Sequence, residues 1–226
     1  AKWRAAGRTV GVIAVDPSSK KTGGALLGDR TRLTVDPGDE GVFVRSMAAR
    51  DRLGGLAALT YPASILMRAT YDIVVIETVG VGQSETEISQ VADSVVFCVQ
   101  PGSGDSLQFM KAGVMEMPHI AVVTKADMGA NAMRAKADVK GALSLSKAAD
   151  DKPVPVMLVS ASKGEGVDEL ISEIDDRWAA LGEGASLEKE RQNAGLNWLR
   201  ETIQEHYGKK GWERLAETTD ATKPPF

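Results

Sequence analysis

The sequence predicts an α/β fold: a mostly parallel sheet flanked by helices, with a C-terminal helical extension. Three observations predict it. Short runs rich in Val and Ile recur along the chain and lack polar alternation, as strands buried on both faces do. Helix-sized stretches with apolar residues at helical spacing lie between them, which implies βαβ units with right-handed crossovers. After Leu181 the pattern changes to a break, GEGAS, and then a charged amphipathic stretch.

The runs are 9–15 (TVGVIAV), 71–76 (YDIVVI), 94–99 (SVVFCV), 119–124 (HIAVVT) and 154–160 (VPVMLVS), with 41–46 (GVFVRS) a further candidate. The helical stretches are 53–69, 84–92, 105–115, 130–149 and 167–181. Pro62 is expected to bend or split the first of these. In the extension, 187–207 carries Leu196, Leu199 and Ile203 on one side, and Trp198 and Trp212 fall outside the sheet pattern. It reads as a helix packed on the parent domain, with a protruding oligomerisation arm as the alternative. The domain division is therefore 1–181 and 187–226. In such a sheet, ligands gather at the carboxyl ends of the strands.

Composition narrows the classes. The chain has 226 residues, 43% hydrophobic and 26% charged, which is ordinary for a globular domain and unlike a disordered chain, collagen or a disulfide scaffold. No apolar run approaches the ~18 residues of a membrane span. With 27 basic and 31 acidic residues the formal charge is −4, which offers no electrostatic support for coating nucleic acid. The lone cysteine, Cys98, forms no internal disulfide and suits a reducing, cytoplasmic setting. His119 is expected to cap or pack, and Met110, Met115, Met117, Met128 and Met133 to fill core.

The strand ends carry the chemistry. The first ends in Asp16, followed by Pro17, Ser18 and Ser19, so a carboxylate and hydroxyls stand where a metal or phosphate could be met. A glycine-rich loop from Thr22 to Gly28 leads to a second carboxylate, Asp29. The 71–76 run ends in Glu77, with Gly80 three residues on and then Gln83, Ser84 and Glu85. An acid at a strand tip can hold Mg²⁺, usually through water, and the glycine lets a backbone N–H approach a γ-phosphate. The fourth run ends Thr124-Lys125-Ala126-Asp127, close to the guanine-reading pattern Asn-Lys-x-Asp. A carboxylate at the last position accepts from both N1–H and the 2-amino group of guanine, a donor pair that adenine lacks. The fifth ends Ser160-Ala161, where backbone N–H groups can meet guanine O6.

Together with Leu53-Gly54-Gly55 and the stretch from Pro101 to Asp105, these motifs resemble the MeaB/ArgK-type P-loop GTPases over about residues 8–181. Those are chaperones of adenosylcobalamin-dependent acyl-CoA mutases such as methylmalonyl-CoA mutase. The resemblance implies a P-loop NTPase fold of the SIMIBI type, GTP or GDP with Mg²⁺ as ligands, and such a mutase as partner. It implies that Asp16, Asp29 and Glu77 surround the metal, and that Glu77, Gly80 and Gln83 serve hydrolysis. Thr124, Lys125, Asp127, Ser160 and Ala161 would hold the nucleotide. Asp105, Gln108 and Lys111 would couple nucleotide state to the mutase. A homodimer through C-terminal helices is also implied.

One motif of the family is not found. Gly-x-x-x-x-Gly-Lys-[Ser/Thr], whose backbone N–H groups cradle phosphates, has no match. The nearest, Gly23 to Gly28, is followed by Asp29 where Lys belongs. In the family that loop and its central strand precede the segment at which this chain starts. An N-terminal extension carrying them is therefore expected, and the strands beside the missing one are expected to face a gap. Two other readings remain: a metal-insertion GTPase, disfavoured by having only His119, His206 and Cys98 far apart, and a non-catalytic interaction module derived from a GTPase.

Overall fold

The computed structural model describes residues 1–16, 36, 38–48, 59–78, 88–102, 117–146, 153–182 and 186–218. A four-residue helix α1 (Lys2–Ala5) leads into β1 (Val10–Asp16), and then come β2 (Val42–Ala48), α2 (Thr60–Arg68), β3 (Ile73–Glu77), α3 (Ile88–Val91) and β4 (Val96–Val99). The chain continues through β5 (Ile120–Val123), a 3₁₀ turn (Ala126–Met128), α4 (Ala130–Ser146), β6 (Val156–Leu158), α5 (Val167–Gly182) and α6 (Ser186–Thr218). The α/β class and the C-terminal helix are as the sequence predicts. The expected helix 105–115 lies outside the described residues.

The described strands form two parallel three-stranded sheets, ordered β2-β1-β3 and β4-β5-β6. All pairings are parallel, with Val10 opposite Val42 and Ile73, and Val123 opposite Val99 and Leu158. The expectation that every Val/Ile run is buried on both faces holds for the middle strands. Ile13, Ala14 and Val15 of β1 and all four residues of β5 are buried. It fails for β3 and β4, whose residues are mostly half-buried. The reason is topological: among the described residues each of these strands has one neighbour, so each ends its sheet.

Side-chain size explains the layers. In α4, Ala132, Ala135, Val139, Ala142 and Leu143 repeat at helical spacing and pack on Val99, Ala121 and Val123. On the other face of that sheet, Val167, Leu170 and Ile174 of α5 meet Ile120, Val122 and Val159. Asp168 and Glu169 in the first turn of α5 oppose the positive end of its dipole. On the first sheet, Met67 of α2 and Ile88 and Val91 of α3 pack with Ile13 and Val15. Gly11 leaves room there: a Cβ would come within 3.1 Å of the Tyr71 ring and 3.2 Å of the Met67 sulfur.

Pro62 does not split α2, and the rest of the expected stretch, 53–58, lies outside the described residues. Pro62 stands third in α2, where its missing N–H would have had no intrahelical acceptor. Two of the methionines depart from expectation, while Met110 and Met115 lie outside the described residues. Met128 and Met133 are 40% and 58% exposed, because the 3₁₀ turn and the outer side of α4 carry them away from the sheet. His119 does pack as expected: its Nδ1 accepts the Val95 N–H at 2.9 Å, fastening the entry to β4.

The first strand is clasped to the third at its start. Asp72 accepts from the Thr9 backbone N–H at 2.7 Å and the Thr9 hydroxyl at 2.8 Å, while the Asp72 N–H donates to Thr9 Oγ1 at 2.9 Å. The Thr9 N–H, first, and its hydroxyl hold the Asp72 carboxyl below its ordinary range. A carboxyl depressed by folding stabilises the protein above its unfolded pKa and loses that contribution as pH falls through the folded one. Asp72→Asn is therefore expected to lower Tm at neutral pH, with the difference from the parent closing as pH falls below the ordinary carboxylate range, read by thermal unfolding across pH.

The chain divides into two compact units, Ala1–Asp175 and Asp176–Phe226. Within the second, α6 breaks at Gly208, whose φ of 69° and ψ of 179° suit glycine alone. The first segment thus ends at Tyr207, where the sequence pattern places its end. A continuous helix would separate residues 200 and 212 by about 18 Å. Instead the Arg200 guanidinium lies 6.0 Å from the Trp212 ring centroid, so the second segment doubles back. Arg191 makes a similar contact with Trp178 at 5.6 Å.

Candidate functional site

The carboxyl ends of the two sheets present different chemistry. In the first sheet, Asp16 closes β1 and Glu77 closes β3, with Glu77 paired to Ala14. Strand spacing and rise place the Asp16 and Glu77 backbones about 8 Å apart. Glu77 is exposed. Asp29, Gly80, Gln83, Asp105, Gln108 and Lys111 lie outside the described residues. Among the described residues no group of three or more His, Cys, Asp or Glu side chains is arranged to hold a metal ion.

The second sheet brings its predicted residues together. Thr124 leaves β5 with its N–H on the Val99 carbonyl at 2.9 Å and its hydroxyl on the same carbonyl at 3.2 Å. That double tie splices the start of the loop to β4. Lys125 then takes the left-handed conformation, φ 51° and ψ 48°, the one non-glycine among the described residues with positive φ. A non-glycine residue held there costs of order 1 kcal/mol, and such strain gathers at functional sites. The turn is held by Ala126 N–H on the Val159 carbonyl at 3.1 Å and Met128 N–H on the Lys125 carbonyl at 2.9 Å. Asp127 is thereby set at the strand end, exposed.

Ser160 reaches it from below. Its hydroxyl, on a fully buried residue, donates to Asp127 Oδ1 at 2.6 Å. This part differs from the expected one. The Ser160 N–H donates to the Glu165 carbonyl at 2.9 Å and is committed to an antiparallel bridge, so Ser160 acts through its side chain. Ala161 is exposed beside it. The bridge closes a tight loop, and Gly166 makes it possible: its φ is +72°, and a Cβ there would collide with the Leu158 carbonyl oxygen.

Charge suits a carboxylate that accepts. The Ser160 hydroxyl, first, then Asp127's own N–H and the positive charges of Lys163 and Lys125 hold the Asp127 carboxyl below its ordinary range. It is ionised at neutral pH and acts only as an acceptor. Four lone-pair positions on two oxygens leave room for Ser160 and two ligand donors at once. Sequence reading finds Asp127 and Ser160 separately. It misses Ser162, whose hydroxyl lies 3.2 Å from that of Ser160, and Gly166, whose only sequence signal is the repeated glycine in Gly164-Glu165-Gly166.

A family model described as "Methylmalonyl Co-A mutase-associated GTPase MeaB" matches residues 1–216. The chain belongs to the MeaB family. A putative GTPase of Pyrococcus horikoshii is 41% identical over 226 residues, covering 96% of this chain and 69% of that protein. GTPase ArgK of Escherichia coli is 37% identical over 203 residues, covering 88% of this chain and 61% of its own length. Among solved structures, a LAO/AO transport system kinase superposes with a TM-score of 0.65 at 27% identity, covering 99% of this chain and 70% of that one. The chain thus spans about two-thirds of the length of these relatives. No helix among the described residues is long and apolar enough to cross a membrane.

Proposed function

We propose that this MeaB-family chain is part of a guanine-nucleotide-binding GTPase that acts as a chaperone of an adenosylcobalamin-dependent acyl-CoA mutase such as methylmalonyl-CoA mutase. The observation that carries the reading is the Asp127 carboxylate, held at the end of β5 by the buried Ser160 hydroxyl. An ionised, oriented acceptor at a strand's carboxyl end fits the paired donors of guanine. Family membership supports the mutase partner, which the matched family carries in its description.

Placement supports the roles proposed for the described residues, and the family resemblance supports those of Asp29, Gly80, Gln83, Asp105, Gln108 and Lys111. Asp127 reads the base edge, Lys125 lays its stem along the base plane, Thr124 fixes the loop, and Ala161 offers its N–H to O6. Glu77 and Asp16, at the ends of neighbouring strands, serve Mg²⁺ together with Asp29. Gly80 and Gln83 serve the γ-phosphate and the attacking water, and Asp105, Gln108 and Lys111 couple nucleotide state to the partner. Mg²⁺ would supply charge neutralisation between phosphates. The protein works in the cytoplasm as a homodimer, with neither membrane nor nucleic acid as a partner.

The test uses the full-length gene product as bait in an extract of its own source. Capture of a cobalamin-dependent mutase that changes between GDP and a non-hydrolysable GTP analogue is expected, together with slow GTP hydrolysis abolished by Glu77→Gln. Capture independent of nucleotide, with no hydrolysis, overturns the reading in favour of a non-catalytic interaction module.

A further inference from the structure

Among the described residues the Ser160 hydroxyl has two polar neighbours, Asp127 Oδ1 at 2.6 Å and Ser162 Oγ at 3.2 Å. A hydroxyl carries one proton and two lone pairs. An ionised carboxylate can only accept, so the Ser160 proton goes to Asp127. Ser160 then has only lone pairs to offer Ser162. The direction of the second bond follows: Ser162 donates and Ser160 accepts. Two hydroxyls in series ending on a carboxylate polarise one another, and each step strengthens the next.

We propose that Ser162 is a positioning residue for the guanine-reading carboxylate, acting through Ser160. The proposal rests on the guanine reading given above. Ser160 is fully buried, so its rotor takes its direction from protein partners. Without the Ser162 donor, the Ser160 hydroxyl has one orienting contact instead of two, and Asp127 is held less firmly. Ser162 itself is exposed, in the loop pinned by the bridge between Ser160 and Glu165. It needs no contact with the ligand to have this effect.

Two nucleotides separate positioning from general damage. GDP presents N1–H and the 2-amino group to Asp127. IDP presents N1–H alone and gains less from a well-aimed carboxylate. Calorimetric affinities for both are measured on the full-length gene product and on Ser162→Ala and Ser162→Thr, with Tm recorded for each. Ser162→Ala is expected to weaken GDP about 5-fold and IDP less than about 2-fold, at unchanged Tm. Ser162→Thr, which keeps the hydroxyl, is expected to restore the GDP-to-IDP ratio. A ratio unchanged in Ser162→Ala, or equal losses on both nucleotides, overturns the proposal while leaving the guanine reading intact. A parent protein that does not prefer GDP to IDP overturns the guanine reading, and this proposal with it.

Discussion

Asp127→Asn is expected to weaken GDP binding by about 100-fold or more and to raise affinity for xanthosine diphosphate in the same protein. The chemistry is a mismatch of donors. The carboxylate offers acceptors only, which suits guanine N1–H and the 2-amino group. An Asn amide replaces one acceptor with an NH₂ donor, which then faces the guanine amino group. Xanthine has a carbonyl at that carbon and accepts from the amide. The fold should tolerate the change, because the Asn carbonyl oxygen can still accept from Ser160, now 2.6 Å from the Asp127 oxygen. Calorimetric titration of both nucleotides into parent and variant decides it. Undiminished GDP affinity in the variant removes Asp127 as the reader of the base.

Gly166→Ala is expected to be the most damaging small substitution for stability among the described glycines of the second sheet. Two costs add. At φ +72° an alanine meets the left-handed penalty, and its Cβ would run into the Leu158 carbonyl oxygen and approach the Val159 Cα to 3.3 Å. Backbone around a strand end cannot give way without moving β6. Together these amount to ~3 kcal/mol, or about 6–12 °C in Tm for a unit of this size. Gly164→Ala is the control. Gly164 has the same φ of +72°, but nothing lies within 4 Å of its added Cβ. It should show the backbone penalty alone, about 1–2 kcal/mol. Equal losses in the two variants would mean that the carbonyl contact imposes no constraint.

The sequence showed some features of this fold and hid others for physical reasons. The Val and Ile runs of β1 and β5 are readable because a strand with neighbours on both sides buries nearly every residue. The runs of β3 and β4 look the same in composition, yet composition carries no information about how many neighbours a strand has. Pro62 misleads for a related reason: a proline breaks a helix or begins one according to its position in the first turn, which the apolar spacing around it does not fix. At the site, Thr124, Lys125 and Asp127 are legible as one local pattern. The bond between Asp127 and Ser160 joins residues 33 positions apart and exists because β5 and β6 are neighbours. The left-handed Lys125 has no signal in sequence, since lysine has no preference for that conformation.

The loop closed between Ser160 and Glu165 also determines what this half of the site can communicate. GDP and GTP carry the same base. If Asp127 reads the base as proposed, a reader fastened by the backbone bridge, the buried hydroxyl and the splice to β4 meets both nucleotides in one arrangement. It therefore identifies the ligand without distinguishing its states. On the proposed function, information about the third phosphate would enter at the other sheet, where Asp16 and Glu77 end their strands. The proposed function therefore assigns recognition and signalling to separate sheets, and substitutions around Asp127 are expected to change occupancy without changing the message that an occupied protein sends.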